Sequence, residues 1–390
     1  MDPYQNPFAP GAGSRPPELA GRDEILKMAR IGCRRAVAGR HARSLMLLGL
    51  RGTGKTVLLN EIQKIGTEEK LLTSKIESPE EVSLAHILVP EIRKVMRSLS
   101  VMEQAKDLAE RGLRGLLGFA ANFKIDVGGV GVAVEPEPGL ADSGDIEFDL
   151  PDLFEAIGLA AQAAGKGWLL LIDEVQYLSG KDLSALIVAM HHMSQTGLPV
   201  VFVGAGLPQV ARLAGDAKSY AERLFAYPPI GPLDQESACS AIRTPIEEEG
   251  AEISDDGLLE IVSRTQGYPF FLQEWASKAW DHASDSVIDH AEVKETYKET
   301  IASLDDGFFK VRIDRLTKGE IQFVDTMAEL GDGPYSMSDI AAKMGRSIGS
   351  LGPARANIIR KGMIYSTDYG YLDFSVPLFS DFLRRKKGGF

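Results

Sequence analysis

The sequence has little that would cross-link the chain or place it in a membrane. Its 390 residues include 2 cysteines, Cys33 and Cys239, which lie far apart and lack metal-ligand spacing. Neither a disulfide framework nor a zinc site is expected, and a reducing compartment is indicated. No apolar run approaches the roughly 20 residues that a bilayer span requires. The start, MDPYQNPFAP, is acidic and broken by prolines, unlike a signal peptide. We therefore expect a cytoplasmic chain without a membrane partner.

Positive charge is also scarce. The chain has 43 Lys+Arg against 55 Asp+Glu, a net charge of -12, which argues against a protein coated in nucleic acid along its whole length. Residues 311–390 differ, because 12 basic and 9 acidic residues give them a balance of +3. The other 310 residues therefore hold 43−12=31 basic and 55−9=46 acidic residues, a balance of -15. An anionic partner is expected at the C-terminal end.

Apolar segments indicate the fold class. Hydrophobic residues make up 44% of the chain, which is typical of a globular protein with a core. Helical patterns alternate with almost wholly apolar stretches that favour buried strands. Such an alternation predicts an α/β fold with a parallel sheet covered on both faces. The strand candidates are SLMLLGL (44–50), LLTSKIE (71–77), WLLLIDEV (168–175) and LPVVFVGAG (198–206).

Composition along the chain predicts four parts. Residues 1–18, rich in Pro, Gly and Ala, form an N-terminal arm over the first domain or a loose tail. Residues 19–230 form the α/β domain, 231–305 a helical lid and 306–390 a C-terminal domain. Within the α/β domain we expect a β-hairpin insertion at about 119–150 that turns at Gly128-Gly129. An acidic loop from Asp142 to Asp149 and a helix opened by Pro151 follow it.

A phosphate-binding motif follows the first strand. GLRGTGKT matches G-x-x-x-x-G-K-[ST] between an apolar strand and a helix. Its glycines allow backbone N–H groups to converge on a polyphosphate at a helix N-terminus. Lys55 would reach the β- and γ-phosphates of ATP, and the Thr56 hydroxyl would bind Mg²⁺. The alternative is a glycine-rich turn with a chance Lys-Thr pair. The candidate nucleotide-binding residues are Gly49, Arg51, Gly52, Thr53, Gly54, Lys55 and Thr56.

Two carboxylates end the strand that begins at Trp168. In a doubly wound sheet, ligands bind at the carboxyl ends of the strands, so Asp173 and Glu174 should face the phosphate loop. Asp173 would hold Mg²⁺ directly or through water. Glu174 would orient and deprotonate the attacking water as a general base. The alternative is a pair of solvated acids in a turn.

Taken together, these motifs resemble those of AAA+ ATPases, particularly the replication-initiator branch and related prokaryotic ATPases. ELAGRDEIL (18–26) resembles the box that lines adenine and ribose in that branch, which implies nucleotide contacts for Gly21 and Arg22. SYAERLF (219–225) resembles the stretch with the arginine finger. Arg223 is the candidate, Arg212 is the reserve, and a finger implies a homo-oligomer. The alternatives are a surface arginine for Arg22, and for Arg223 a pair with Glu222 or a helix cap.

Two departures from the family pattern predict slow hydrolysis. Gly204-Ala205-Gly206 stands where the family places a polar residue that contacts the γ-phosphate and the water. The lid lacks the usual Gly-x-Arg, and Gly267-Tyr268-Pro269 resembles the Gly-x-Pro element of signalling (STAND-type) P-loop ATPases. That likeness makes Pro269 a candidate nucleotide contact.

The C-terminal segment resembles a winged helix-turn-helix. Helices are predicted over 316–330, from Ser336 or Ser338 to Gly345, and from Ser347 or Ser350 to Lys361, with Pro353 tolerated only in the first turn of the last one. MIYS and YLDFSV predict a hairpin. The third helix of such folds enters the major groove. Exposed donors to DNA are expected from this helix, with further phosphate contacts from the run 384–387. They are Arg346, Ser347, Ser350, Arg355, Arg360 and Lys361.

Three functional hypotheses remain open. The first is an initiator- or loader-type protein that couples ATP·Mg²⁺ binding and slow hydrolysis to duplex DNA binding or assembly on DNA. The second is a STAND-type signalling or defence switch whose winged helix makes protein contacts. The third is an inactive nucleotide-binding scaffold.

Overall fold

The computed structural model describes residues 1–11, 13–126 and 135–388. Two compact units are formed. One comprises Asp23–Leu48 and Lys55–Pro229, and we call it the sheet unit. The other comprises Met1–Arg22, Gly49–Gly54 and Ile230–Phe390, and we call it the helical unit. The phosphate loop is thus grouped with the C-terminal part of the chain, whereas the strand before it and the helix after it belong to the sheet unit.

A parallel sheet organises the sheet unit. Within its described residues the strand order is β2-β3-β4-β1-β5. All seven residues of β3 and of β4 are buried, as expected for central strands with helices on both faces. The strands are β1 (Ser44–Leu48), β2 (Leu71–Glu77), β3 (Gly167–Asp173), β4 (Val200–Gly206) and β5 (Phe225–Ala226).

Helices cover this sheet, and the apolar faces of the helices from residue 84 onwards share one core with it. A 3-10 turn, Val175–Tyr177, follows β3. The helices are α1 (Asp23–Val37), α2 (Lys55–Glu68), α3 (Leu84–Ser100), α4 (Lys106–Asn122), α5 (Ile146–Ala163), α6 (Gly180–Thr196), α7 (Val210–Ala217) and α8 (Ala221–Leu224).

The predicted hairpin insertion is wrong at both of its ends. Its first residues, 119–122, continue helix α4, and its last residues belong to α5. The predicted turn at Gly128-Gly129 lies outside the described residues. The predicted acidic loop 142–149 is wrong only in its second half, because α5 begins at Ile146, where Asp145 caps this helix by accepting a hydrogen bond from the Glu147 N–H. Pro151 consequently lies inside α5.

The helical unit has two apolar cores. Phe8 of the N-terminal arm joins a core formed by residues 238–293. Phe271 and Leu304 join a second core with C-terminal residues up to Leu383, so the predicted lid and C-terminal domain pack together. The elements up to residue 313 are α9 (Gln235–Glu248), β6 (Glu252–Ile253), α10 (Asp255–Thr265), α11 (Pro269–His282), β7 (Val287–Ile288), α12 (His290–Glu295), α13 (Tyr297–Leu304), a π-helical turn (Asp305–Lys310) and α14 (Val311–Ile313).

The N-terminal arm packs on α11. A 3-10 turn, Pro3–Gln5, opens it. The Asn6 side-chain amide donates to the Ser277 carbonyl at 3.1 Å and to the Asp281 carboxylate at 2.8 Å. The arm is therefore attached to the lid helices and is not a loose tail.

The C-terminal segment has the predicted order of three helices and a hairpin. Its strands form an antiparallel sheet in the order β8-β10-β9. Ser336 and Ser347 are the N-caps of the second and third helices. Pro353 lies beyond the first turn of the third helix, which burial of Leu351 and Ile358 holds in place. The elements are α15 (Lys318–Glu329), β8 (Tyr335–Ser336), α16 (Met337–Met344), α17 (Ile348–Arg360), β9 (Ile364–Asp368), β10 (Tyr371–Phe374) and α18 (Phe379–Gly388).

No helix in the described part of the chain combines the length and the apolar character needed to cross a membrane.

Substitution of Asp149 tests the structure at the start of α5. Its carboxylate is buried and accepts hydrogen bonds from the Ser143 N–H at 3.0 Å, the Ser143 hydroxyl at 2.7 Å and the Gly144 N–H at 2.9 Å. Because Asp149→Ala leaves these donors without their acceptor, we expect it to lower the free energy of unfolding by about 1–3 kcal/mol. Urea denaturation measures the loss. Asp216→Ala, at an exposed position of α7, is the control, and an equal effect of the two changes would contradict the role of Asp149 in holding Ser143 and Gly144.

Candidate functional site

The phosphate loop has the backbone that its sequence predicts. Gly52 and Gly54 have φ of +81° and +87°, a region that residues with a side chain rarely adopt. A Cβ at Gly49 would lie 2.1 Å from the Ile230 carbonyl oxygen. Glycine is therefore required at these positions for steric and conformational reasons, and the loop offers its backbone for close approach to a ligand.

Arg22 supports this loop from inside the helical unit. One of its guanidinium nitrogens, Nη2, donates to the Gly231 carbonyl at 2.6 Å and to the Thr53 carbonyl at 3.4 Å. The residue is 8% exposed, which overturns its interpretation as a surface arginine. Burial lowers the pKa of the Arg22 guanidinium, and nearby Asp234 acts in the opposite direction. Gly21 precedes it with a φ of +68°. Contacts of Gly21 and Arg22 with a nucleotide stay predictions.

The Gly-Tyr-Pro element lies beside the loop. Pro269 is the first residue of α11, and the next N–H, that of Phe270, donates to the Gly52 carbonyl at 3.3 Å. Gly267 has a φ of +70° and approaches Leu233 so closely that a Cβ would lie 2.4 Å from the Leu233 carbonyl oxygen. The start of α11 is thus fastened to the phosphate loop by a main-chain hydrogen bond.

Arg51 joins the loop to the C-terminal segment. Its backbone N–H donates to the Ser375 carbonyl at 2.9 Å, and its Nε donates to the Gly362 carbonyl at 3.2 Å. The Ser375 hydroxyl also donates to the Gly362 carbonyl. The sequence contains no signal for these contacts, since more than three hundred residues separate the partners.

In the sheet unit, the predicted metal ligands lie together. Lys55 and Thr56 begin α2, and Asp173 ends β3. The Thr56 hydroxyl donates to Asp173 Oδ2 at 2.6 Å. A hydroxyl and a carboxylate are the oxygen ligands that Mg²⁺ prefers, so the pair fits that ion. The described residues contain no group of three or more His, Cys, Asp or Glu that could hold a metal. Phosphate and water oxygens would have to complete the coordination.

Glu174 has an unusual backbone. Its φ of 54° and ψ of 40° are left-handed, a conformation that costs a residue with a side chain about 1–3 kcal/mol and is often found at functional sites. Its N–H donates to Asp173 Oδ1 at 2.9 Å. The two carboxylates therefore follow one another through a sharp turn at the carboxyl end of β3.

Gln176 is a polar neighbour of Glu174 that the sequence analysis missed. Its side-chain amide nitrogen donates to a Glu174 carboxylate oxygen, and its Oε1 accepts the Leu207 N–H at 3.1 Å. No motif identifies this glutamine. The one available signal is its position two residues after the candidate base.

Arg223 and its reserve Arg212 are both exposed. The Arg223 carbonyl accepts hydrogen bonds from the Arg43 guanidinium at 3.2 and 3.1 Å. Among the described residues the Arg223 side chain forms no ion pair, so the alternative in which it pairs with Glu222 does not apply. The finger role stays a prediction.

The expected exposure of the DNA-facing residues is correct for only part of the set. Arg346, Ser347, Ser350 and Arg360 are exposed. Arg355 is half-buried and donates to the Ser366 hydroxyl at 2.8 Å. Lys361 is half-buried too, with its ammonium 2.7 Å from Glu320. These two predictions of exposure are wrong, because that face of α17 packs against its own domain.

The basic run 384–387 is also largely neutralised within the chain. Arg384 pairs with Asp332 at 3.1 Å, Arg385 pairs with Asp305 at 2.6 Å, and Lys387 lies 3.6 Å from Asp325. The surplus of positive charge at this end therefore overstates the charge that is available to an anionic partner.

Comparisons with known proteins match the part of the chain that contains the candidate site. Residues 18–203 match the family described as the AAA ATPase domain, and residues 306–383 match a domain of unknown function, DUF8462. No curated protein matches the chain. A Walker-type ATPase of Pyrococcus abyssi is 17% identical over 95% of this chain and 97% of that chain, with a TM-score of 0.55.

Two further solved structures show weaker likeness. The RuvB Holliday junction branch migration motor of Thermotoga maritima is 16% identical, covering 96% of this chain and 99% of that one, with a TM-score of 0.45. The Orc1 protein of Aeropyrum pernix, solved in complex with DNA, is 14% identical, covering 95% and 94%, with a TM-score of 0.44.

The match over residues 18–203 coincides with the phosphate loop, with Thr56 and with the two carboxylates after β3. The P. abyssi ATPase shares the fold. This protein is therefore an ATPase whose residues 18–203 match the AAA ATPase domain.

Proposed function

We propose that this ATPase is a nucleotide-controlled switch whose C-terminal domain, a winged helix, binds duplex DNA. The observation that carries the proposal is the attachment of Arg51 to Ser375 and Gly362. A residue inside the phosphate loop is thereby bonded, through main chain and side chain, to the domain that follows the lid. A change in the loop on nucleotide binding would strain or release those hydrogen bonds.

The residues of the two motifs have distinct roles in this proposal. Backbone N–H groups of the glycine loop and the Lys55 ammonium bind the phosphates, while Thr56 and Asp173 hold the metal ion. When bound, Mg²⁺ neutralises charge that develops on the phosphates. Glu174 takes a proton from water at its carboxylate. Gly21, Arg22 and Pro269 contribute on the nucleoside side, as the family resemblance implies.

An oligomeric active form is part of the proposal. The exposed Arg223 guanidinium has no carboxylate partner among the described residues and could extend to a phosphate bound by a second copy, where it would stabilise transition-state charge. Exposed Arg212 is the alternative donor.

The DNA-binding surface that we propose comprises Arg346, Ser350 and Arg360. They are exposed on α17 or at its start, and Ser347 caps this helix by accepting the Ser350 N–H at 3.3 Å. In a winged helix the third helix enters the major groove. Arg355 and Lys361 are left out of this surface because of their contacts within the domain.

A protein-binding switch of the STAND type is the second candidate. Internal ion pairs occupy most of the basic run 384–387, and several apolar or aromatic side chains are exposed on the same domain. Ile348 is 53%, Tyr369 93% and Tyr371 45% exposed. Side chains of this kind favour a protein partner over a phosphate backbone.

Two substitutions test the nucleotide site. Lys55→Ala removes the ammonium that attracts the phosphates, so we expect nucleotide binding to be lost. Glu174→Gln keeps the size of the side chain but cannot accept the proton, so we expect bound ATP with turnover reduced about 100-fold or more. Nucleotide titration and phosphate release measure the two effects. Unchanged turnover of Glu174→Gln would refute the assigned base, and a wild type without turnover would favour an inactive scaffold.

The switch is tested by duplex DNA affinity at two salt concentrations, with and without ATP. We expect affinity that depends on ATP and falls steeply with salt, because phosphate contacts release counterions. Arg346→Ala combined with Arg360→Ala should abolish it. Arg51→Ala should keep DNA binding but reduce its dependence on ATP, since the side-chain bond to Gly362 is lost while the main-chain bond to Ser375 remains.

Lys298→Ala, a change on helix α13 outside the proposed surface, serves as the control for lost charge. Absence of DNA binding in every nucleotide state would overturn the DNA proposal and leave the protein-binding switch. Undiminished ATP dependence in Arg51→Ala would instead contradict the role of the Arg51 side chain.

A further inference from the structure

The carboxyl ends of β3 and β4 lie next to each other in the sheet. These strands pair in parallel, with Ile172 opposite Gly204. In open α/β sheets, ligands bind outside the carboxyl ends of the strands. In the sequence, β3 continues into the two carboxylates, whereas β4 ends in Gly204-Ala205-Gly206 and supplies no polar side chain.

The side-chain amide of Gln176 bridges the ends of these two strands. It lies in the 3-10 turn Val175–Tyr177 that follows Glu174. Its amide nitrogen donates to the Glu174 carboxylate, and its amide oxygen accepts the N–H of Leu207, the residue after β4, at 3.1 Å. Both ends of one carboxamide are therefore used, one on each strand end.

The glycine that ends β4 leaves room for this carboxamide. A Cβ at Gly206 would lie 2.7 Å from Gln176 Oε1 and 2.9 Å from Val210 Cγ2, closer than real Cβ contacts. Any side chain at residue 206 would displace the amide. The absence of a side chain at residue 206 of β4 therefore makes the space that the Gln176 amide, from the turn after β3, occupies.

Glu174 needs such support. Its left-handed backbone is unfavourable for a residue with a side chain, so neighbouring contacts must fix it. The Glu174 carbonyl accepts the Tyr177 N–H at 3.0 Å, which holds the main chain of the turn. The bond from Gln176 constrains the carboxylate itself.

We propose that Gln176 is a positioning residue for ATP hydrolysis, which holds the Glu174 carboxylate in place and supplies at the end of β4 the polar group that Gly204-Ala205-Gly206 lacks. The inference rests on the proposed function, in which Glu174 is the base. It bears on one of the two departures that predict slow turnover, the small residues at the end of β4, and leaves the missing lid arginine as it was.

The proposal predicts an effect on turnover and not on binding. A general base works only when it is oriented towards the proton that it accepts, and misplacement by about 1 Å can cost about 100-fold in rate. In the proposed function, nucleotide affinity depends on the loop and on Lys55, whereas the hydrogen bonds of the Gln176 amide go to Glu174 and Leu207. Loss of the amide should therefore lower kcat while KM and nucleotide affinity stay close to their wild-type values.

Gln176→Ala and Gln176→Glu in the full chain test this inference. For Gln176→Ala we expect kcat to fall about 10-fold or more. Gln176→Glu keeps the length of the side chain and an acceptor for the Leu207 N–H, but its ionised carboxylate cannot donate to Glu174 and repels it. We expect an equal or larger loss of kcat. Gln209→Ala is the matched control, since Gln209 lies near the same strand end and makes no side-chain cap hydrogen bond.

The readouts separate positioning from a general structural role. Nucleotide affinity and thermal unfolding are measured for each variant beside kcat and KM. Full turnover in Gln176→Ala or Gln176→Glu would overturn the inference, and so would a parallel loss of affinity and turnover. If Gln176→Ala does not fold, Gln176→Glu decides, because it is nearly isosteric with the wild-type side chain.

Failure of the proposed function would look different. If Glu174→Gln turns over like wild type, Glu174 is not the base and the positioning role falls with it. If Glu174→Gln binds nucleotide without turnover while both Gln176 variants remain fully active, only the role of Gln176 is wrong.

Discussion

Backbone N–H groups can bind a polyphosphate only where the chain leaves them accessible. In this protein that requirement determines the backbone conformation of residues 49–54. Gly52 and Gly54 adopt φ values that other residues rarely reach. Separate parts of the helical unit then fix the loop through hydrogen bonds of Arg22, Phe270 and Arg51. One stretch of backbone is thereby bonded to Arg22, to the start of α11 and to the C-terminal segment, and the proposed switch uses these bonds to transmit a change in the loop.

The part of the site where hydrolysis is proposed depends on a second constraint, which is the placement of two adjacent carboxylates. Asp173 is held by the Thr56 hydroxyl at 2.6 Å, which keeps the proposed metal ligands together. Glu174 leaves the strand through a left-handed turn, and Gln176 restrains its carboxylate. Hydrogen bonds to a charged group are among the stronger contacts in proteins, so the Gln176 amide can help to orient the proposed base although β4 ends in small residues.

Local patterns predicted the strands and several helix limits, because each depends on neighbouring residues. Strand Leu71–Glu77 has the limits that its sequence predicted, and Ser347 caps the third C-terminal helix. Contacts between distant segments could not be predicted in this way. The bond of Arg51 to Gly362 and the partial burial of Arg355 depend on how distant segments pack. The 119–150 hairpin prediction failed at its two ends, which belong to helices α4 and α5.

The link between the phosphate loop and the C-terminal domain is tested most directly by backbone hydrogen exchange, measured without nucleotide, with ADP and with a non-hydrolysable ATP analogue. The account predicts that the analogue changes the exchange of Arg51 and of residues 371–376 together, and that Lys55→Ala abolishes both changes. Protection of the loop with unchanged exchange at 371–376 would contradict it.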